Sequence, residues 1–178
     1  RVRFFLYDLD AVYQDTSGME DPNTFDYLME APLEDATDTL SILMKSDLYR
    51  TRFVNMVCDL TATVFDGEHV CEIIAEEDEK LARSMEMYYT EDEWERQQKA
   101  VEVMKRMALG SCQEVHERLR RHLGAASPYM LEVEAPEGVR ISFSQIRLEG
   151  GTVYKGMYYH NYPLTLTAES TGGEVCSG

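Results

Sequence analysis

Apolar residues in the middle of the chain recur every three or four positions, the spacing that places them on one face of an α-helix. Ser46 is suited to cap the first of these stretches, and Thr90 with Glu93 forms a capping-box pattern at another. Gly110 and Ser111 interrupt the last stretch and are expected to divide it. Four longer helices are therefore predicted, over residues 46–65, 68–88, 90–109 and 112–123.

From Tyr129 onward, apolar residues alternate with polar ones, which is the period of a half-buried β-strand. The alternation covers Leu131 to Ala135, Val139 to Phe143, and Leu164 to Glu169. Turn-forming sequences separate the apolar stretches, at residues 136–138, 149–151 and 161–163. The pattern predicts a small antiparallel β unit after the helices.

The start of the chain differs from both regions. Residues 2–7 are aromatic and apolar up to Asp8, which is typical of a buried strand, and the acidic residues 9–38 predict mainly loop. Together these elements predict an α+β fold: a helical bundle with an N-terminal strand, then a small antiparallel β domain. The predicted domains are residues 1–124 and 125–178. Since the chain starts in an apolar run and stops at a turn-like sequence, we expect a piece of a longer protein.

The balance of charges narrows the classes of partner. Among 178 residues, 33 are acidic and 17 are basic, which gives a formal net charge of −16. Nucleic acids and anionic lipid surfaces are bound by Lys and Arg that neutralise phosphates, so we expect neither partner. A membrane-spanning helix needs about 20 consecutive apolar residues, and no stretch of the sequence comes near that length. The four cysteines lack the spacing of a zinc site, and no disulfide is expected.

Histidine and basic side chains are weak candidates for function. His69, His116 and His160 have no Ser, Cys or carboxylate partner at a catalytic spacing, so we expect them on the surface or at helix ends. A basic cluster near residue 120 has two interpretations. It provides stabilising positive charge at the C-terminus of a helix, or it is a docking site for an acidic protein or a phosphate. The cluster comprises Arg118, Arg120, Arg121 and His122.

A tyrosine-rich stretch lies in the predicted β unit, and two roles are open. Tyrosine is favoured in strands, where its ring packs in the core or at an edge. Exposed tyrosine rings also stack on sugars while their hydroxyls stay hydrated, so contact with a glycan or cell wall is the alternative. The residues are Tyr154, Tyr158, Tyr159 and Tyr162.

Asp8 and Asp10 follow the predicted N-terminal strand and are the sharpest chemical signal. Two carboxylates one residue apart can share Mg²⁺, with water and phosphates as its other ligands, although aspartates also occupy turns without any ligand. Three kinds of phosphate chemistry use such a pair. The chain lacks the motif continuation of a haloacid-dehalogenase-type phosphohydrolase and the alternating strands and helices of a nucleotide-sugar glycosyltransferase. A kinase-type aspartate that holds Mg²⁺ against ATP is the third.

Several blocks of the sequence resemble the CotH family, the spore-coat and secreted protein kinases with an atypical kinase fold. Residues 2–10 resemble the family's W-I-L-Y-D-T-D strand. Residues 46–65 resemble its N-P-E-F-R-x-R-F-x-N-x-x-A-D-L-L-N-T-x-F helix, and this block is the most specific. Trp94 with residues 104–123 is similar to a later helical segment, and residues 156–168 are similar to the small β module of many secreted members.

The resemblance implies a role for the two aspartates. Asp8 would bind Mg²⁺, and Asp10 would be a second carboxylate facing the metal or the phosphates of ATP. The implied reaction is transfer of the ATP γ-phosphoryl group to serine of a secreted or coat protein, outside the cell or at the cell or spore surface. The nucleotide lobe and the catalytic loop of the family lie upstream of residue 1, so no catalytic residue is expected in this chain and it should be inactive alone.

An alternative of a different class stays open. The chain would then be a non-catalytic module of the cell surface or spore coat, and its helices and β unit would bind a protein or a glycan. In that case the relation to kinases would be structural only.

Overall fold

A computed structural model of the chain describes residues 42–85 and 87–171. The described helices are α1 (Asp47–Thr61), α2 (Gly67–Met85) and α3 (Glu91–Leu123). The described strands are β1 (Pro128–Glu134), β2 (Val139–Phe143), β3 (Ile146–Leu148), β4 (Val153–Tyr159) and β5 (Thr167–Ser170). The predicted α+β class, with helices followed by a small antiparallel β region, is confirmed. The predicted strand at residues 2–7 and the loop at 9–38 lie outside the described residues.

Helix α1 begins where the sequence predicts. The hydroxyl of Ser46 accepts a hydrogen bond from the backbone N–H of Tyr49, at 3.5 Å, as an N-cap does. The helix ends at Thr61, four residues before the predicted end at Phe65. The Thr61 hydroxyl donates to the carbonyl oxygens of the last turn, at 3.1 Å to Val57 and 3.0 Å to Cys58. Such side-chain hydrogen bonds offer helix carbonyls an alternative to continued helix.

Helix α3 is one element of 33 residues, so the predicted division at Gly110 and Ser111 is wrong. Its start is as predicted, because the backbone N–H of Thr90 donates to Glu93 Oε2 at 2.8 Å. A glycine within a helix costs only about 1 kcal/mol relative to alanine. The Ser111 hydroxyl donates to the carbonyl of Ala108 at 2.8 Å, within the helix. None of the described helices is long and apolar enough to cross a membrane.

The strands form two small sheets. Strands β1 and β4 pair antiparallel, with Pro128 opposite Tyr159 and Glu134 opposite Val153. The second sheet has the order β3-β2-β5 and is also antiparallel. Ser144 lies in the two-residue turn between β2 and β3 and has a φ of 47°, which is uncommon for a residue other than glycine. Positive φ is the conformation that two-residue hairpin turns require to follow the twist of their strands.

The described residues pack as two compact units. One contains residues 67–111, which are α2 and most of α3. The other contains residues 42–66 and 112–171, so α1 and the last turns of α3 belong to the same unit as the five strands. The predicted division into domains 1–124 and 125–178 stays a prediction. The buried core of the second unit includes Val54, Cys58, Leu119, Phe143 and Tyr158.

Candidate functional site

A groove of about 670 Å³ lies along α1 in the second unit, and we call it the α1 groove. Three parts of the chain line it: α1, the β2–β3 turn Ser144-Gln145, and the segment Pro163–Thr165 that leads into β5. Clefts that bind small ligands typically have volumes of about 300–1,000 Å³. The α1 groove is therefore large enough to hold a ligand or a short stretch of a partner chain.

Asn55 of α1 has incomplete hydrogen bonding at the groove. Its side chain is among the lining residues although the residue is only 5% exposed. The amide Nδ2 donates to the carbonyl oxygen of Pro163 at 3.1 Å, which joins α1 to the segment before β5. Its Oδ1 is buried and finds no donor among the described residues. A buried acceptor without a partner costs about 1–3 kcal/mol.

Arg52 is the one charged residue among the twelve that line the α1 groove. Within the described part of the chain its guanidinium makes no ion pair or hydrogen bond. Among the described residues no Asp or Glu lines the groove, although acidic residues outnumber basic ones by 33 to 17 in the chain. The groove therefore presents a positive charge on an otherwise acidic protein, a field that favours anionic groups.

A buried hydrogen-bond network holds the turn that lines the groove. Asp59 of α1 is 1% exposed, and its Oδ2 accepts from the backbone N–H of Gln145 at 2.9 Å. Its Oδ1 accepts from the hydroxyl of Tyr158 at 2.5 Å, and that hydroxyl lies 2.7 Å from the hydroxyl of Tyr154. The carboxylate thus ties α1 both to β4 and to the Ser144-Gln145 turn. Both carboxylate oxygens of Asp59 therefore have partners within this network.

The tyrosines of this network stay protonated at neutral pH. Burial raises the pKa of Tyr158, and its hydrogen bonds to Asp59 and Tyr154 raise that pKa further. Burial raises the pKa of Tyr154 to about 12. Cys58, next to Asp59 in the sequence, is a buried thiol whose pKa burial raises to about 12. A thiol with such a pKa is not a nucleophile near pH 7.

His116 of α3 is buried, so its predicted place on the surface is wrong. Its Nδ1 lies 3.0 Å from the hydroxyl of Tyr159, and its Nε2 lies 3.2 Å from the hydroxyl of Thr61. Burial, together with the positive charge of Arg120, lowers the pKa of His116. The sequence did hold a signal, because His116 shares a helix face with two leucines that are also buried, Leu119 and Leu123.

The structure agrees with the other predictions on histidine residues and with the first interpretation of the basic cluster. His69 and His160 are exposed, as predicted. Arg120 and Arg121 lie in the last turn of α3, where the sequence predicts favourable charge at a helix C-terminus. Arg118 pairs with Glu114 at 2.6 Å on the same helix.

The tyrosine-rich stretch packs in the core, which is the first of its two predicted roles. The hydroxyl of Tyr162 donates to the carbonyl of Leu123, and Tyr159 contacts His116. Rings at this depth present no face to a sugar, so the glycan contact proposed for this stretch is wrong for these side chains. The four buried residues are Tyr154, Tyr158, Tyr159 and Tyr162.

The predicted Mg²⁺ and ATP ligands, Asp8 and Asp10, lie outside residues 42–85 and 87–171. Within those residues, no three His, Cys, Asp or Glu side chains form a group that could hold a metal ion. Cys58, Cys71 and Cys112 are unpaired there.

Comparisons of the chain with protein-family models, curated proteins and solved structures give no match. The resemblance to the CotH family and the roles that it implies for Asp8 and Asp10 therefore remain predictions from the sequence.

Proposed function

We propose that this chain is a non-catalytic binding module whose α1 groove holds a segment of another protein. The observation that carries the proposal is the charge of the groove. The net charge of the chain is −16, yet within the described residues Arg52 is unpaired and no carboxylate lines the groove. An arginine beside apolar surface is a common anchor of protein interfaces.

The chemistry of the lining supports binding over catalysis. The hydroxyl groups that line the groove belong to Tyr49, Thr51, Ser144 and Thr165. In the part of the chain that the structure describes, no histidine, cysteine or carboxylate joins them in the lining to act as a base or nucleophile. Leu48 and Met56 add exposed apolar surface at the groove, which suits contact with a partner chain.

A library of random seven-residue peptides displayed on phage, selected against the full chain, tests this proposal. Met56, which lines the groove and is 37% exposed, is changed to Trp to fill the groove. Met130→Trp on β1 is the matched control, because Met130 is exposed and does not line the groove. We expect selected peptides to bind at least tenfold more weakly to M56W and equally well to M130W. Failure to select any peptide sensitive to M56W would contradict the proposal.

A CotH-like kinase role remains the second proposal, and only the sequence supports it. It rests on Asp8, Asp10 and the block at residues 46–65, and it places the parent protein outside the cell or at the cell or spore surface. The test is transfer of the γ-phosphate from Mg²⁺-ATP by the full-length parent, with Asp8→Ala alongside. Labelling that is lost in a folded Asp8→Ala variant would support the kinase. Absence of labelling in both, with several acceptors, would favour the binding module.

A further inference from the structure

We infer that the ligand of the α1 groove is an extended peptide segment with an acidic side chain, which Arg52 binds through its guanidinium. This inference rests on the proposed function and specifies the partner's chemistry. It requires the groove to offer a contact for the carboxylate, a contact for the peptide backbone, and space for a few residues. Each requirement is met by separate features of the second unit.

The contact for the carboxylate is Arg52. A guanidinium offers parallel N–H donors that match the two oxygens of a carboxylate, and such charge-assisted pairs are about twice as strong as neutral hydrogen bonds. Three described arginines pair with an acidic side chain: Arg50 with Asp47, Arg118 with Glu114 and Arg140 with Glu149. Arg52 has no such neighbour among the described residues, so its donors are available to a ligand.

The contact for the backbone is the segment that precedes β5. Leu164 and Thr165 line the groove, and their backbone N–H and C=O groups make no hydrogen bond with the described residues. Strand β5 lies at one end of the β3-β2-β5 sheet, so this segment extends an edge strand. Unpaired backbone at a sheet edge is the feature to which extended peptides add as a further strand.

Asn55 favours a peptide over a simple anion. Its Oδ1 is an acceptor without a donor, so a ligand that supplies both an anionic group and an N–H would satisfy Arg52 and Asn55 together. A peptide with an acidic residue carries both groups, whereas a free carboxylate has no donor. The Oδ1 atom is covered in this structure, so a lining side chain must turn aside before a ligand reaches it.

The dimensions of the groove agree with a short segment. Extended chain rises about 3.3 Å per residue, so four residues that pair along the segment before β5 would span about 13 Å. The groove volume of about 670 Å³ is that of a site for a few residues. The occupant is therefore expected to be a linear stretch of the partner.

The test uses three pools of seven-residue peptides against the full chain. The central residue is fixed as Glu, Gln or Lys, and the flanking residues are drawn from Val, Ile, Thr and Ser. We expect the Glu pool to give the strongest binders, and each Glu→Gln replacement in a selected peptide to raise Kd about tenfold or more. Equal binding by the Gln or Lys pool, still lost in M56W, would overturn this inference and leave the proposed function intact. If these pools give no M56W-sensitive binders but the random library does, this inference alone is overturned. If the random library also gives none, both are overturned.

Variants of Arg52 identify the residue that binds the carboxylate. R52Q should weaken binding of the Glu peptide as much as the Glu→Gln change in the peptide does. The two changes together should raise Kd little more than either change alone. R52E should reverse the preference and favour the Lys pool. R83E, on exposed α2 surface outside the groove, changes the net charge equally and should leave the preference for Glu unchanged. A preference for Glu that persists in R52E would show that another residue binds the acid.

Methylation of the peptide amides tests the backbone contact. In an added strand, alternate N–H groups of the peptide face the protein. Methylation of the amides that face the protein should therefore abolish binding. Methylation of the amides that face solvent should leave Kd within about threefold. If the two methylated peptides bind equally well, the peptide does not pair with the segment at Leu164 and Thr165.

Discussion

The carboxylate of Asp59 on α1 accepts a 2.5 Å hydrogen bond from the hydroxyl of Tyr158 on β4, 99 residues later in the chain. The other carboxylate oxygen accepts from the backbone N–H of Gln145. A single buried side chain thus fixes the helix, a strand and the turn that lines the α1 groove. Hydrogen bonds to a buried charge are worth about 1.5–3 kcal/mol each, so this network should contribute to both stability and the shape of the groove.

Replacement of Asp59 by Asn should lower the free energy of unfolding by about 1–3 kcal/mol. The amide has only one oxygen, so its NH₂ group would face one of the two donors, the Gln145 N–H or the Tyr158 hydroxyl. Denaturation with urea measures the loss. In a double-mutant cycle with Tyr158→Phe, the two changes should couple by about 0.5–3 kcal/mol. Asp47→Asn is the control: Asp47 is 90% exposed, and its loss should change stability by less than about 0.5 kcal/mol. Purely additive effects at Asp59 and Tyr158 would contradict the network.

His116 should make stability depend on pH near neutrality. The pKa of His116 is lowered in the folded protein, from about 6.5 in an unfolded chain. As pH falls through 6.5, the unfolded chain takes up a proton that the folded chain excludes, so the free energy of unfolding decreases. Above about pH 6.5 neither state is protonated and the contribution of His116 is complete. The groups that face the ring are Tyr159 and Thr61, with Arg120 nearby as a positive charge.

Urea unfolding at pH 7.5, 6.5 and 5.5 measures this effect. His116→Gln should be less stable than the wild type at pH 7.5, since it loses packing and hydrogen bonds, yet it should lose less stability on acidification. The slope attributable to one proton is at most about 1.4 kcal/mol per pH unit. His69→Gln, at an exposed position of α2, is the control and should keep the wild-type slope. Parallel pH profiles for the wild type and His116→Gln would show that the pKa of His116 does not differ between the folded and unfolded states.

Features with local causes were predictable from the sequence. The starts of α1 and α3 depend on partners three residues apart, Ser46 with Tyr49 and Thr90 with Glu93, so the local sequence contains both members of each pair. The burial of Tyr154 and Tyr158 on either side of buried Gly156 also follows a period of two. Gly110 misled because glycine only weakens a helix, and whether a helix ends there depends on what surrounds it.

The α1 groove was not predictable, because its parts meet only in the folded protein. Asn55 bonds to Pro163, which is 108 residues away, and Asp59 bonds to Gln145, which is 86 residues away. Arg52 occupies an exposed position of a predicted helix, like any solvated charge. No periodicity or spacing distinguishes a surface arginine with a partner from one without.

Ser144 is in a backbone conformation that glycine adopts more easily. Its φ of 47° places it in the left-handed region, which costs roughly 1–2 kcal/mol for residues with a Cβ. Ser144→Gly removes this cost but adds about 0.4–1 kcal/mol of unfolded-chain entropy, so the net gain should be about 1 kcal/mol or less. Ser144→Val should be the least stable of the three proteins, because a β-branched residue tolerates positive φ worst. Urea unfolding gives the order, and a valine variant as stable as the wild type would refute this turn geometry.

Gly67 and Gly110 should respond in opposite ways to the same substitution. A Cβ at Gly67, the first residue of α2, would lie 2.9 Å from the carbonyl oxygen of Ala108 and 2.9 Å from the Cα of Leu109. Both are backbone atoms of α3 that cannot turn aside, so Gly67→Ala should destabilise by about 1–3 kcal/mol through overpacking. A Cβ at Gly110, within α3, would meet nothing within 4 Å.

Gly110→Ala should therefore stabilise by about 0.5–1 kcal/mol, the difference in helix propensity, and should raise the helical signal near the middle of α3. Thermal and urea unfolding followed by far-UV circular dichroism measure both variants under the same conditions. The opposite signs are the informative result, since a general effect of added helix propensity would stabilise both proteins. Stabilisation by Gly67→Ala would show that α2 does not approach the backbone of α3 at Ala108, and destabilisation by Gly110→Ala would show that α3 is not one continuous helix.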